Sequence, residues 1–158
     1  MKVYVASPMG FFAAGRNWLL DVVHPAIVAA GHQIHDPWAL PKDLQDKLDK
    51  ALAMPLSADK VAALAAIDFE MGKRNAELIE TADAVFAILD GTDVDSGTAS
   101  EVGFAAGIGH RAVGLRTDFR YSCDNLGTTV NLQVEYFIRR HGGTVETDLD
   151  QAIAALTA

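Results

Sequence analysis

Between Leu89 and Glu101 the chain reads Leu-Asp-Gly-Thr-Asp-Val-Asp-Ser-Gly-Thr-Ala-Ser-Glu. Asp90, Asp93, Asp95 and Glu101 therefore crowd the end of one apolar run and the start of a helix-forming stretch. Like charges held this close cost stability. Such crowding is tolerated in a solvated loop, or where carboxylates are needed to hold hydroxyls and to do acid, base or nucleophilic work. Glu101 carries two readings. Thr98-x-x-Glu101 is a capping-box pattern, and an acid in a first helical turn is favoured by the macrodipole. The same placement keeps a carboxylate ionised and aimed at a ligand crevice, as a nucleophilic Glu requires. The two are compatible. Ser96 and Gly97 have the residue types that shape a tight turn ahead of the helix.

A second informative stretch follows the first apolar run, Ser7-Pro8-Met9-Gly10-Phe11-Phe12-Ala13-Ala14-Gly15-Arg16. It contains neither G-x-G-x-x-G nor G-x-x-x-x-G-K-[ST], so a dinucleotide fingerprint and a P-loop are both missing. Gly10 and Gly15 would let backbone approach a flat ligand closely, and Phe11 and Phe12 would offer it aromatic faces. Core packing is the competing role for both Phe residues.

The elements that must position these loops are legible from periodicity. Strands are expected at Lys2–Ala6, Gln33–His35, Ala84–Leu89, Ala112–Leu115 and near Thr144–Glu146, and the continuous apolar run Ala84–Leu89 marks a central strand buried on both faces. Helices are expected at about residues 12–30, 57–81, 98–108 and 130–140 and from about 149 onward. The charged, Pro-bounded segment from Ala39 to Pro55 reads as an irregular or helical excursion over the ligand-binding face and is a candidate lid. Strand–helix alternation implies parallel βαβ units with right-handed crossovers. The expected fold is an α/β doubly wound, flavodoxin- or Rossmann-like, mostly parallel sheet of about five strands with helices on both faces. Ligands of such sheets bind outside the carboxyl ends of the strands, where both stretches described above belong.

Composition narrows the class. The 158 residues suit one domain spanning the whole chain, and 50% hydrophobic with 22% charged residues is the profile of a globular protein with a real core. A net charge of −8 argues against a nucleic-acid polymer as partner, because a phosphate backbone demands clustered Lys and Arg. Cys123 is the sole cysteine, and His24, His32, His35, His110 and His141 are scattered, so no metal or intrachain disulfide is implied. The N-terminus reads directly into a strand without a signal-peptide pattern, and no apolar run is long enough for a bilayer, so a cytoplasmic protein without membrane association is expected. Asp83, just ahead of the central strand, reads as structural. Asp118 and Arg120 either fasten their loop or line a pocket.

Taken together, Leu78-Ile-Glu-Thr-Ala-Asp-Ala-Val-Phe-Ala-Ile-Leu-Asp-Gly91, Asp95-Ser-Gly-Thr-Ala-Ser-Glu-Val-Gly-Phe-Ala-Ala-Gly107, Thr117-Asp-Phe-Arg120 and Val130-Asn-Leu-Gln-Val-Glu-Tyr-Phe-Ile138 resemble the nucleoside 2-deoxyribosyltransferase family. The opening Val3-Tyr-Val-Ala-Ser-Pro-Met-Gly-Phe11 is similar to that family's first-strand motif. The resemblance runs in order over nearly the whole chain. It implies transfer of 2-deoxyribose between nucleobases, with Glu101 as the nucleophile that attacks the anomeric carbon and no cofactor. It further implies that Asp95 helps bind the sugar and position the nucleophile. Asn131 would be donated to a neighbouring subunit's site, making the protein a homo-oligomer; capping of its own helix is the alternative role. The candidate substrate-binding residues are then Ser7, Phe11, Asn75, Asp90, Ser96, Gly97 and Asn131. Asn75 departs from the family pattern, which often has an aspartate there, and an amide cannot deliver a proton as a carboxylic acid does. Two competing functions share the scaffold. One is an N-glycosidase acting on nucleosides or nucleoside 5′-monophosphates, for which Arg16 and Ser7 are the only phosphate-binding candidates, with Arg16 expected a turn or more into its helix. The other is a non-catalytic nucleoside-binding module.

Overall fold

The computed structural model describes residues 1–158. Five strands, β1 (Lys2–Ala6), β2 (Gln33–His35), β3 (Ala84–Ile88), β4 (Arg111–Leu115) and β5 (Val145–Glu146), form one sheet in the order β2-β1-β3-β4-β5. Every neighbouring pair is parallel, so the sheet is wholly rather than mostly parallel. This is the flavodoxin-like order, with its switch point between β1 and β3, where consecutive connections leave toward opposite edges.

The helices are α1 (Ala13–Trp18), α2 (His24–Ala29), α3 (Lys42–Ala53), α4 (Ala58–Glu80), α5 (Ser96–Gly107), α6 (Leu132–Arg140) and α7 (Leu149–Ala154). Between α1 and α2 the backbone stays helical but widens into a π-type stretch at Leu19–Val23. Pro25 accounts for the interruption, since it has no N–H and its ring would clash with the carbonyl of Asp21 in a regular α-helix. Gly31 then ends the helix at φ 86°, a left-handed conformation that costs glycine nothing. The segment after Ala39 resolves into α3, capped off by Met54, and it packs Leu44 and Ala51 against Ile67 of α4.

Alternation along the strands sorts the core into two layers. Tyr4, Val85 and Ala87 meet Ile79 of α4, Val102 and Ala105 of α5, and Val134 and Ile138 of α6. Val3, Val5, Phe86 and Ile88 meet Leu19, Val23 and Ile27 on one side and Ala152 and Ile153 of α7 on the other. All five residues of β3 are buried, as its unbroken apolar sequence requires. Asp83 acts at the far end of the sheet, accepting a 2.6 Å hydrogen bond from the Lys2 N–H and so pinning β1 beside β3. No helix is long and apolar enough to cross a membrane.

Candidate active site

The start of α5 decides what Glu101 can do. The helix begins at Ser96, and Asp95 is its N-cap: Asp95 Oδ2 accepts hydrogen bonds from the Thr98 N–H at 3.0 Å and the Thr98 hydroxyl at 3.3 Å. Thr98 is therefore a buried residue of the first turn rather than a cap, and the capping-box reading of Thr98-x-x-Glu101 does not hold. Glu101 occupies the sixth position of α5, beyond the turn in which the macrodipole acts. Capping gives this carboxylate no role.

Its actual partner comes from the sheet. Tyr4 points to the same face of β1 as α5, and its hydroxyl donates a 2.5 Å hydrogen bond to Glu101 Oε1. Burial raises the Glu101 pKa, the Tyr4 hydrogen bond lowers it, and the nearby Asp95 raises it again, leaving it at about 7. Burial, then the Glu101 charge, push the Tyr4 phenol well above its ordinary value, so Tyr4 is always the donor. One carboxylate oxygen is thus held, and the other remains available.

Glu101 opens onto a cavity of about 470 Å³, within the range of roughly 300–1,000 Å³ usual for small-molecule sites. Asp95, Gly97, Thr98 and Glu101 form one end; Ser7, Phe11 and Arg16 come from the segment after β1. Pro37, Trp38 and Leu40 follow β2, Gln45 and Leu48 belong to α3, and Met71 and Asn75 to α4. The candidate lid is therefore a helical wall. Ser7 is buried and its Oγ accepts from the Met9 N–H at 3.0 Å, leaving its hydroxyl proton free to donate. Phe11 stands edge-on to Trp38 with ring centroids 4.6 Å apart. Gly10 lies flat beneath that indole: a Cβ there would fall 2.1 Å from Trp38 Cδ2, so only glycine fits. Arg16 lies one turn into α1, as its sequence position suggested, and from there lines the cavity without a carboxylate partner.

Of the sequence-derived candidates, Ser7, Phe11, Asn75, Asp95, Gly97 and Glu101 come together here. Asp90, Ser96 and Asn131 do not line this cavity. Asp90 Oδ1 accepts from the Thr117 N–H at 2.6 Å and the Asp118 N–H at 2.7 Å, and Oδ2 accepts from the Thr117 hydroxyl at 2.7 Å. Ser96 is exposed on the first turn of α5, its carbonyl accepting from the Ser100 hydroxyl. Asn131 caps α6 through Oδ1, which accepts from the Gln133 and Val134 N–H groups, and it borders a separate cavity of about 250 Å³ with Thr92, Asp93, Ser122, Cys123 and Asp124. Arg120 pairs with Asp118 beside Asp90, so that pair fastens the loop after β4. No group of three or more His, Cys, Asp or Glu side chains is placed to hold a metal ion.

A family model described as nucleoside 2-deoxyribosyltransferase matches residues 3–133, from β1 to the start of α6. The chain belongs to the nucleoside 2-deoxyribosyltransferase family. No curated protein is significantly similar to it in sequence. Among solved structures it is similar to a conserved protein from Enterococcus faecalis V583, at 20% identity and a TM-score of 0.67, over 99% of this chain and 97% of the other. It is also similar to a 2-deoxyribosyltransferase from Bacillus psychrosaccharolyticus, at 20% identity and a TM-score of 0.62, over 97% of this chain and 90% of that one. A CMP N-glycosidase from Clostridium botulinum aligns over 100% of both chains at 12% identity and a TM-score of 0.57. At these identities the likeness is one of fold. The residues around this cavity that the sequence did not single out are Tyr4, Pro37, Leu40, Gln45, Leu48 and Met71. Tyr4 alone left a signal, a hydroxyl in an otherwise apolar strand, which must find a partner when buried.

Proposed function

We propose that the protein transfers 2-deoxyribose between nucleobases through a covalent ester on Glu101. The observation that carries this reading is the Glu101 carboxylate, held by Tyr4 and facing a cavity of nucleoside size in a chain of this family. Glu101 Oε2 attacks C1′ of a 2′-deoxynucleoside as the C1′–N bond breaks, its electron pair leaving with the base, which takes up a proton from solvent. A ring nitrogen of a second base then attacks C1′ from the face the first base left and gives its N–H proton to solvent, the ester bond breaks, and Glu101 regains its carboxylate. Two inversions give net retention, and the kinetics are ping-pong. The sugar lies at the Asp95–Glu101 end, where carboxylates can hold its hydroxyls. The base lies between Trp38, Leu40, Leu48 and Met71, an apolar slot suited to a flat ring, with Asn75 and Gln45 offering polar atoms to its edge. Asn75 hydrogen-bonds the base but supplies no proton.

The proposed assembly is a homo-oligomer in which Asn131 serves a neighbouring subunit's site. Its Oδ1 is committed to the α6 cap while its amide N–H₂ is free. The loop leading to it leaves Phe119, Tyr121 and Leu126 exposed, side chains that a partner would cover.

The test is incubation with a 2′-deoxynucleoside, with and without a different free base, with chromatography of bases and nucleosides and Glu101→Ala as control. A new deoxynucleoside that forms only with the added base and is lost in the variant supports the proposal. Consumption of nothing turns the reading to a binding module. A second reading, hydrolysis of a nucleoside 5′-monophosphate, is favoured by Arg16, a cation in the cavity with no protein partner. Under that reading free base accumulates from the monophosphate regardless of acceptor, and Arg16→Gln raises KM for the monophosphate far more than for the nucleoside.

A further inference from the structure

Arg74 does not line the cavity, yet it is tied to the wall that does. Its Nη2 donates to the Ala39 carbonyl at 2.8 Å and its Nη1 to the Pro37 carbonyl at 3.3 Å. Those two carbonyls bracket Trp38, and the next residue, Leu40, also faces the cavity. Arg74 has no carboxylate partner in an ion pair, and its hydrogen bonds all go to this turn, although its charge is also felt at Tyr4. The turn lies between a three-residue strand and Pro41. Its own bonds are local: the Trp38 N–H to Asp36 Oδ1 at 2.8 Å, the Ala39 N–H to the Asp36 carbonyl at 3.2 Å and the Leu40 N–H to the Trp38 carbonyl at 3.1 Å. Trp38 is further held by its indole N–H to the Ser7 carbonyl at 3.1 Å and by Phe11, and only Arg74 ties the turn's backbone to α4. Arg74 precedes Asn75 on α4, so one turn of one helix both offers an amide to the cavity and holds the opposite wall at a set distance.

We infer that Arg74 is a positioning residue that fixes the Pro37–Leu40 wall against α4 and thereby sets the width of the slot that selects the base. The inference rests on the proposed function for the identity of the occupant. A guanidinium suits the task because its planar fork presents separate N–H groups to the two carbonyls in a fixed geometry, whereas an ammonium is a point donor on a flexible stem that sets no such spacing. Loss of the fork widens the slot at Trp38 while leaving Tyr4, Asp95 and Glu101 in place. Binding of the base then suffers more than the chemical step, on which Arg74 acts only through its charge at Tyr4.

The experiment compares Arg74→Met and Arg74→Lys with the unaltered protein in base exchange, using one purine and one pyrimidine 2′-deoxynucleoside. For Arg74→Met the expected result is a KM raised about tenfold, a kcat within about threefold, and a narrowed ratio of kcat/KM between the two substrates. Arg74→Lys should restore part of both effects. A fall in kcat at unchanged KM, or an unchanged substrate ratio, overturns the inference. A readout independent of turnover comes from Trp18→Phe, which leaves Trp38 as the only tryptophan. In that background Arg74→Met should shift Trp38 emission to the red, and an unchanged spectrum overturns the inference even if no nucleoside is processed.

Discussion

Glu101 and Tyr4 make a pair whose protonation decides when the site is competent. Glu101 must be ionised to attack carbon, and burial holds its pKa at about 7, so kcat/KM should rise with pH through an acidic limb near 7. Removing the Tyr4 hydroxyl takes away a donor that favours the carboxylate; Tyr4→Phe should move that limb upward and lower the rate at pH 6 more than at pH 9, read from a pH–rate profile. The sign for stability is opposite. Because the folded pKa lies above the unfolded value, the folded state binds more protons between about pH 4.5 and 7, and stability falls as pH rises through that window. Glu101→Gln, which keeps an acceptor for Tyr4 without the buried charge, should stabilise the protein at pH 8 by roughly 1–3 kcal/mol while abolishing exchange, measured by urea denaturation.

At the scale of elements, the strands were the most legible feature, because apolar runs closed by Gly, Pro and Asp leave little choice of boundary. β1 and β2 fall where periodicity put them, and β3 and β4 within a residue of it. The start of α5 was not legible. Asp95 and Thr98 are both good caps, and only the three-dimensional path of the loop decides between them; that choice moved Glu101 out of the first turn. Arg74 and Arg116 show a second limit. Arg116 is buried and donates to the Leu89, Gly91 and Arg120 carbonyls, a role with no sequence signature because backbone acceptors are written nowhere in the side chains. Asp90 belongs with them as a fastener between the loops after β3 and β4. Asp90→Ala should lower stability by about 1–3 kcal/mol and leave KM for the nucleoside nearly unchanged, measured by denaturation and steady-state kinetics. A large KM effect would return Asp90 to the substrate.

The whole molecule was legible in topology and not in assembly. Alternating apolar runs gave a doubly wound sheet, but nothing in one chain says whose site Asn131 serves. The shared-site proposal has a direct test. Glu101→Ala and Asn131→Ala proteins should each be inactive alone, and mixed after partial denaturation and refolding they should regain activity, since a hybrid contains sites built from one intact nucleophile and one intact asparagine. Recovery at no mixing ratio would place Asn131 in its own subunit's fold only, as the α6 cap it already is.

The hydrogen bond from Tyr4 to Glu101 spans 97 residues of chain, and β1 pairs on both sides, with β2 early and β3 late. During synthesis the first strand and its βαβ partner emerge long before the nucleophile, and the central slot beside β1 stays open until residues 84–88 arrive. Closing so long a loop is slow relative to local structure formation. The pair that carries the chemistry therefore cannot form until β3 and α5 have joined β1, and until then the exposed edge of β1 is a place where a nascent or stalled chain is open to capture by a chaperone or by another copy of itself.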